Sequence, residues 1–270
     1  MSWLGYCGST GLAEMDYFLA DPWIAPPALQ SLQAGFSEEI LRLPETFLCF
    51  TPPEFDIPVS ALPALSAGVL TFGCFNNLSK LNDEVLALWA SILQALPNSR
   101  LLLKAPQLGS AAECQPLQQR FAAQGIAGDR LLLEGAEPRA DYLAAFGRVD
   151  IALDPFPYPG GTTSLEALWM GVPVLSLRGR PDSAALSRQG ESILQNLGLP
   201  DWLAEDAQDY QARAVAHAGD IEALAALRAG LRARLLASPL CDAPRFAGHF
   251  EALLREAWAR WCVQPANKRD

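Results

Sequence analysis

The segment that most constrains the fold of this chain is residues 150–175, which read DIALDPFPYPGGTTSLEALWMGVPVL. A short apolar run ends in Asp154 and three prolines, and Gly160 and Gly161 then allow the backbone to turn tightly. A helix is predicted to begin directly afterwards. The order buried strand, glycine turn, helix is typical of an anion site, because the positive end of a helix and its free N–H groups receive phosphate oxygens.

The residues at the start of that helix allow two interpretations. Thr162, Thr163 and Ser164 offer hydroxyl groups to a phosphate, and Glu166 lies one turn further, where it could accept hydrogen bonds from ribose hydroxyls. Thr163 and Glu166 also fit a capping box, in which the two side chains only satisfy each other's backbone donors. The local pattern does not decide between these interpretations.

Short apolar runs alternate with helical periodicity from residue 69 onward, which predicts a parallel sheet with crossover helices. We expect strands near 69–74, 101–104, 131–133, 149–153 and 173–177, and helices at about 83–95, 112–124, 139–147 and 163–170. Ligands of such sheets bind beyond the carboxyl ends of the strands. The turn at Gly160 and Gly161 lies at one such end, and the segment CFNNLSK at 74–80 follows another.

The two flanks of this region have a different character. Residues 1–60 are rich in proline and irregular, with one short apolar run at 46–50, and they do not read as a complete domain. After residue 183 the pattern is helical. In one of these helices Arg228, Arg232 and Arg234 lie opposite a leucine face, and we expect this arginine face to be solvated.

Composition excludes several classes of function. Half of the 270 residues are hydrophobic, so the chain can bury a sizeable core, and a net charge of −10 argues against binding to nucleic acid or to an anionic membrane. The six cysteines form no CxxC pair and there are two histidines, so we expect no metal site and reduced thiols in the cytoplasm. We expect no membrane span, since no apolar run approaches the roughly 20 residues required.

Five blocks of sequence, in a fixed order, carry a family resemblance. They are WLGYCGSTGLAEMDYFLADPW, TFGCFNNLSKLNDEVLALWASIL, PFPYPGGTTSLEALWMGVPVLSL, SRQGESILQNLGL and SPLCDAPRFAGHFEALLREAW. The chain thus resembles the catalytic region of the O-linked N-acetylglucosamine transferases and their bacterial and SPINDLY-like relatives. These proteins are inverting glycosyltransferases of the GT-B fold that usually follow tetratricopeptide repeats. The double glycine looks like the bacterial branch.

The resemblance implies an α/β fold in three parts. Residues 69–237 would form the GT-B C-terminal, Rossmann-like lobe that binds the nucleotide sugar. Residues 1–68 would be a remnant of the N-terminal lobe with the connector between the lobes, and residues 238–270 a C-terminal helix that packs back on the lobes.

The resemblance also implies an activity and a set of site residues. N-acetylglucosamine would pass with inversion from UDP-N-acetylglucosamine to protein Ser or Thr hydroxyls, with no cofactor, and Lys80 would contact the diphosphate and stabilise the leaving UDP. The implied nucleotide-sugar residues are Asn77, Lys80, Arg139, Gly161, Thr162, Thr163 and Glu166. The implied sugar-pocket residues are Leu4, Gly5 and Tyr6. The implied partners are the UDP-sugar donor, a protein acceptor, and an N-terminal lobe or tetratricopeptide-repeat partner.

Two alternatives remain open at this point. Most of an N-terminal lobe is missing from the resemblance, and no repeat with a period near 34 residues is present. The chain could therefore be a noncatalytic module that binds a UDP-sugar and works only beside a separate N-terminal lobe. It could also be a GT-B transferase that uses another nucleotide sugar.

Overall fold

The computed structural model describes residues 1–5, 8–181 and 183–263. Its strands are β1 (Tyr17–Ala20), β2 (Glu39–Arg42), β3 (Leu70–Cys74), β4 (Ser99–Lys104), β5 (Leu131–Glu134), β6 (Ile151–Leu153), β7 (Val174–Leu177) and β8 (Leu203–Ala204). Its helices are α1 (Gln30–Ala34), α2 (Pro63–Ala67), α3 (Asp83–Ala95), α4 (Ala111–Ala123), α5 (Arg139–Ala145), α6 (Thr162–Trp169), α7 (Gln189–Leu197), α8 (Ala207–Gly219), α9 (Ile221–Leu236) and α10 (Ala243–Val263). The strands and helices predicted between residues 69 and 177 are confirmed, with boundaries that agree within two residues.

Six strands form one parallel sheet in the order β5-β4-β3-β6-β7-β8. Every residue of β3 and β6 is buried, as expected for strands covered by helices on both faces. Strands β3, β4 and β5 follow one another across the sheet, each beside the one before. The chain then crosses back, so that β6 pairs with the opposite edge of β3. The carboxyl ends of β3 and β6 therefore border the switch point of the sheet, where α/β folds of this type bind ligands.

The N-terminal segment contains more regular structure than its proline-rich sequence predicts. Strands β1 and β2 pair in parallel as a separate two-stranded sheet, and all four residues of β1 are buried. The apolar run at 46–50 is not a strand. Its buried residues Phe47 and Leu48 instead pack in the same continuous core as the six-stranded sheet.

A buried carboxylate, Asp21, joins this segment to the large sheet's helices. It accepts hydrogen bonds from the backbone N–H groups of Ile24, at 2.8 Å, and Phe47, at 2.9 Å, and from the Ser192 hydroxyl of α7. Burial raises its pKa, and these hydrogen bonds oppose that rise. Asp21 thus connects the loop after β1, the loop after β2 and α7.

Helix α10 packs on the N-terminal segment. Its Ala257 is buried against Tyr17 and Leu41. Trp3 lies against two aromatic rings of the same helix, with ring centroids 5.8 Å from Phe246 and 4.8 Å from Phe250. The last helix therefore returns to the first strands. None of the helices among the described residues is both long enough and apolar enough to cross a membrane.

The sequence predicts a solvated arginine face on α9, and the structure confirms this only in part, because Arg228 is buried at 1% exposure. Its guanidinium donates to the carbonyls of Ser60, at 2.9 Å, and Val149, at 2.7 Å, and to the Ser60 hydroxyl, at 2.8 Å. Burial lowers the pKa of Arg228 to about 10, and the nearby Asp150 opposes that change. Arg232 is half-buried and donates to the carbonyl of Trp169, whereas Arg234 is exposed.

Arg228 connects the chain before β3 to the sheet, so we predict that its removal is costly. The substitution Arg228→Ala leaves buried carbonyls without a donor and Asp150 with one nearby cation fewer, and we expect the free energy of unfolding to fall by about 3–5 kcal/mol. The matched control Arg234→Ala, which removes one exposed hydrogen bond to the Gly198 carbonyl, should cost about 1 kcal/mol or less. Urea denaturation measures both values, and equal losses would contradict the assignment.

Candidate functional site

Lys80 lies where the carboxyl ends of β3 and β6 meet. It ends a short 3-10 helix, Leu78–Lys80, and its ammonium donates to the Asn76 side-chain oxygen at 3.0 Å and to the Pro159 carbonyl at 2.9 Å. The ammonium lies over the Tyr158 ring, and its nitrogen is 4.0 Å from the ring centroid. The ammonium therefore links the segment after β3 to the turn after β6.

The charge of Lys80 has no direct counter-ion in the described part of the chain. Its two hydrogen-bond acceptors are a neutral amide and a neutral carbonyl. Burial lowers the pKa of Lys80, and the more distant Asp154 and Cys74 oppose that shift. A half-buried ammonium with neutral partners attracts an anion strongly, because the surrounding protein screens its charge less than water does.

The start of α6 faces the same crevice. Its N-cap is Gly161, which has no side chain to accept from the first-turn N–H groups. Thr163 directs its hydroxyl to the Asn76 side-chain oxygen at 3.1 Å instead of to the backbone. Glu166 does not reach back to the N-cap, so the capping-box interpretation does not describe this helix. The first turn of α6 thus keeps its positive end open to the crevice.

The sequence suggests that Gly160 and Gly161 are needed for a special backbone conformation. The structure instead shows that a side chain has no room at either position. Gly161 has a φ of −112°, and the positive-φ glycines of the described residues lie elsewhere. A Cβ at Gly161 would overlap the amide of Gln189, and a Cβ at Gly160 would overlap the Ser164 hydroxyl. Side chains at these positions would therefore push the turn away from α6 and α7.

A second group of polar side chains surrounds Glu166, one turn further along α6. Glu166 is buried at 3% exposure and pairs with the Arg139 guanidinium and with the Tyr142 hydroxyl, the latter at 2.9 Å. The hydrogen bond to Glu166 raises the pKa of Arg139, and burial raises the pKa of Tyr142. The Tyr142 ring rests on Phe75, with ring centroids 5.6 Å apart. Since Thr163 and Glu166 are three residues apart, both groups lie on one face of α6.

Beneath the turn lies Asp154, which is 1% exposed. One carboxylate oxygen accepts from the Gly160 N–H at 2.6 Å, and the other accepts from the Ser176 hydroxyl at 2.8 Å. Burial raises the pKa of Asp154 to about 6, although these hydrogen bonds and Lys80 act in the opposite direction. Asp154 therefore holds the turn from below while Lys80 holds it from above.

Most of the site residues expected from the sequence come together here. Lys80, Gly161, Thr162 and Thr163 border the crevice, and Arg139 pairs with Glu166. Asn77 is exposed and turned elsewhere, since its side chain accepts from the Ser79 N–H at 2.9 Å and from Gln107 at 3.0 Å.

The expected sugar-pocket residues make only local contacts among those described. The Gly5 N–H donates to the Trp3 carbonyl, and Leu4 is exposed with a φ of 59°. A non-glycine residue in this left-handed conformation costs about 1 kcal/mol or more. Tyr6 lies outside the described residues.

Three residues of this site are absent from the set that the sequence predicts. Asn76 accepts from both Lys80 and Thr163, and Asp154 and Tyr142 complete the two groups. Each had a signal in the sequence. Asp154 directly follows β6, Asn76 is the first asparagine after β3, and Tyr142 is three residues beyond Arg139 on a predicted helix. The described residues contain no group of three His, Cys, Asp or Glu side chains that could hold a metal ion.

The chain is similar to proteins of known class. At 38% identity it matches a probable UDP-N-acetylglucosamine–peptide N-acetylglucosaminyltransferase SPINDLY of Petunia hybrida, over 97% of this chain and 28% of the relative. The SPINDLY protein of Arabidopsis thaliana is 39% identical with the same coverage. A solved mutant of the Thermobaculum terrenum O-GlcNAc transferase is 39% identical, with a TM-score of 0.82 over 96% of this chain and 47% of that one.

This chain thus spans less than a third of the SPINDLY relatives and about half of the solved transferase. Its six-stranded parallel sheet with flanking helices is the Rossmann-like lobe of a GT-B fold, as the solved neighbours show. Residues 59–250, which include both polar groups of the site, match glycosyl transferase family 41, and the chain belongs to that family.

Proposed function

We propose that this chain binds a UDP-sugar at the crevice between β3 and β6 and serves the transfer of N-acetylglucosamine to protein Ser or Thr hydroxyls. The observation that carries the proposal is the half-buried Lys80 ammonium, which has neutral partners and faces the open N-terminus of α6. A diphosphate supplies the negative charge that this arrangement lacks. The names of the SPINDLY and O-GlcNAc transferase relatives support the choice of donor and acceptor.

The geometry supports a separate role for each polar group. Lys80, Thr162, Thr163 and the first turn of α6 would surround the diphosphate. Glu166 would accept from the ribose hydroxyls, because its carboxylate oxygens can accept further hydrogen bonds beside those from Arg139 and Tyr142. The rings of Tyr142 and Phe75 and the exposed Arg139 side chain would then border the base.

The proposed reaction is an in-line displacement. The acceptor hydroxyl attacks the anomeric carbon of the sugar and its proton passes to solvent. The bond from that carbon to the diphosphate breaks, and UDP leaves with the electron pair and an additional negative charge. Lys80 and the positive end of α6 are placed to stabilise that charge, which increases in the transition state. We propose that these groups supply the stabilisation without a metal ion or cofactor.

We also propose how the chain is divided into parts, which partners it works with and where it acts. Residues 69–237 would form the donor-binding lobe, residues 1–68 the remainder of the first lobe with its connector, and residues 238–270 the helix that returns to them. Acceptor binding would involve an N-terminal lobe or a tetratricopeptide-repeat partner, and the strained Leu4 next to Gly5 supports a sugar-contacting role for that loop. Four cysteines of the described residues, Cys49, Cys74, Cys114 and Cys241, are free thiols, which supports a reducing cytoplasm, and the double glycine supports the bacterial branch.

A first prediction tests the diphosphate site. Lys80→Ala removes the uncompensated ammonium, and we expect it to weaken UDP binding by about 2–4 kcal/mol. The surface control Arg120→Ala removes a cation that is already paired with Asp83 and should leave binding unchanged. Isothermal titration calorimetry with UDP measures both. The proposal fails if the wild-type protein gives no heat at millimolar UDP, or if Lys80→Ala binds as the wild type does.

A second prediction tests the ribose contact. Glu166→Gln removes the charged acceptor, so we expect UDP to bind about 1–2 kcal/mol more weakly, while 2′-deoxy-UDP loses much less. The control Glu113→Gln changes an exposed carboxylate at the start of α4 and should preserve the preference for UDP. Competition titrations with the two nucleotides measure the difference, and an unchanged preference in Glu166→Gln would remove Glu166 from the ribose site.

A third prediction addresses the donor and separates the alternatives. A panel of nucleotide sugars is offered to the chain together with a relative's N-terminal lobe, and transfer to a peptide is followed by mass spectrometry. We expect UDP-N-acetylglucosamine to be used most efficiently, and Lys80→Ala to lose at least about tenfold in rate. Preference for a donor with another base or sugar would redirect the proposal to a different GT-B transferase, and binding without transfer would favour the noncatalytic module.

A further inference from the structure

One peptide group of the turn, between Pro159 and Gly160, is held by two charged side chains. Its carbonyl oxygen accepts from the Lys80 ammonium at 2.9 Å, and its N–H donates to the Asp154 carboxylate at 2.6 Å. The C=O and N–H of a trans peptide point in opposite directions. The ammonium and the carboxylate therefore lie on opposite sides of one peptide group and together determine its orientation.

Asp154 is itself held in place from several sides. Its second oxygen accepts from the Ser176 hydroxyl of β7. A Cβ at Gly190, on α7, would lie 3.0 Å from this second oxygen, Oδ2. A Cβ at Gly160 would lie 3.1 Å from Oδ1, the oxygen that accepts from the Gly160 N–H. The Tyr210 hydroxyl of α8 shares its one proton between the carbonyls of Leu175, at 3.0 Å, and Asp154, at 3.2 Å. The carboxylate thus has little room to move, and the peptide that it binds is equally constrained.

The two charged groups also affect each other. The negative charge of Asp154 raises the pKa of Lys80 against the larger lowering by burial, and Lys80 in turn lowers the pKa of Asp154. Hydrogen bonds to ionised groups are roughly twice as strong as those between neutral groups. Loss of the Asp154 charge would therefore loosen the turn and also remove a group that favours the charged form of Lys80.

We infer that Asp154 is a positioning residue for the nucleotide sugar. Its carboxylate orients the Pro159–Gly160 peptide, and through that peptide it directs the Lys80 ammonium and the first turn of α6 toward the diphosphate. Asp154 lies beneath the turn and does not itself touch the donor. The inference rests on the proposed function, because it assigns a role within the same site.

The charge state of Asp154 gives the inference a measurable signature. Burial raises its pKa to about 6, so the carboxylate is ionised above that pH and becomes protonated as the pH falls through it. Among the residues that the structure describes, the other titratable groups that face it are Lys80, Cys74 and Tyr210. The pKa of Cys74 is raised to about 12, that of Tyr210 is also raised, and Lys80 shifts down from an ordinary value of 10.5. A transition near pH 6 at this turn would therefore report Asp154.

A selective NMR measurement can observe the relevant hydrogen bond. Proline is followed by glycine at one place in the sequence, Pro159–Gly160. Labelling with carbonyl-¹³C proline and ¹⁵N glycine therefore leaves a single signal, the Gly160 amide, in a carbonyl-correlated spectrum. In the ligand-free wild type we expect this amide proton to lie downfield and to shift upfield on acidification, with a midpoint near pH 6. Asp154→Asn should abolish the transition.

The matched control is Asp150→Asn. Asp150 is a buried aspartate next to the opposite end of β6, where it accepts from the N–H groups of Ala64, at 2.9 Å, and Thr71, at 2.8 Å. Its substitution makes the same chemical change away from the turn. The transition of the Gly160 amide should persist in this variant.

Donor binding provides the functional measurement. UDP-N-acetylglucosamine is the probe because its phosphates are both esterified and lack the ionisation near pH 6 of a phosphate monoester. We expect the wild-type affinity to fall roughly tenfold between about pH 7.5 and pH 5, and Asp154→Asn to bind about tenfold more weakly at the higher pH with little further change. Asp150→Asn should follow the wild-type profile.

The outcomes separate the inference from the proposed function. A wild-type protein that does not bind the donor refutes the proposed function and, with it, the role of Asp154. A wild-type protein that binds the donor, combined with a Gly160 amide that shows no acid transition in step with the fall in donor affinity or with unaltered binding by Asp154→Asn, refutes the inference alone. If Asp154→Asn fails to fold, the wild-type NMR transition and the wild-type affinity profile still decide the question.

Discussion

The contact on which the site depends is the hydrogen bond from the Lys80 ammonium to the Pro159 carbonyl. It joins two segments that are 79 residues apart in sequence and that meet only because β6 returns to pair with β3. The same ammonium binds Asn76, which in turn accepts from Thr163 at the start of α6. One cation therefore orders the segment after β3, the glycine turn and the first turn of a helix, and its charge is still not neutralised by a direct partner in the described chain.

Buried charged groups perform a similar function elsewhere in the molecule. Asp21 connects the loops after β1 and β2 to α7, and Arg228 connects the chain before β3 to the sheet and to α9. Each is surrounded by backbone donors or acceptors, because a charged group without such partners could not remain buried. These residues hold irregular segments in place where no strand or helix does so. In the N-terminal segment, Asp21 acts beside a two-stranded sheet and apolar contacts to the core.

The sequence was a good guide to elements with strong periodicity and a poorer guide to side chains whose environment is set by distant segments. Strands such as β3 and helices such as α3 follow from local apolar patterns, and their predicted bounds hold. The sequence does not predict β1 and β2, because each strand has only four residues and a proline follows two residues after it, which leaves little periodic signal. The helical spacing predicts that Arg228 is solvated, since it does not reveal that Ser60 and Val149 approach that face from elsewhere. Likewise, two adjacent asparagines look equivalent in FNNLSK, yet only Asn76 faces Lys80.

The sequence by itself determined the parallel α/β class, the glycine turn leading into a helix, and the family resemblance. The fold class and the turn follow because hydrophobic periodicity and turn residues act locally, within a window of a few residues, whereas the resemblance is carried by five ordered blocks of sequence. Only the tertiary structure decided that Glu166 pairs with Arg139 and Tyr142 instead of capping its own helix, and that Asp154 and Lys80 share one peptide group. Those contacts depend on the order of strands in the sheet, which brings together side chains that are far apart in the chain, and no local pattern encodes that proximity.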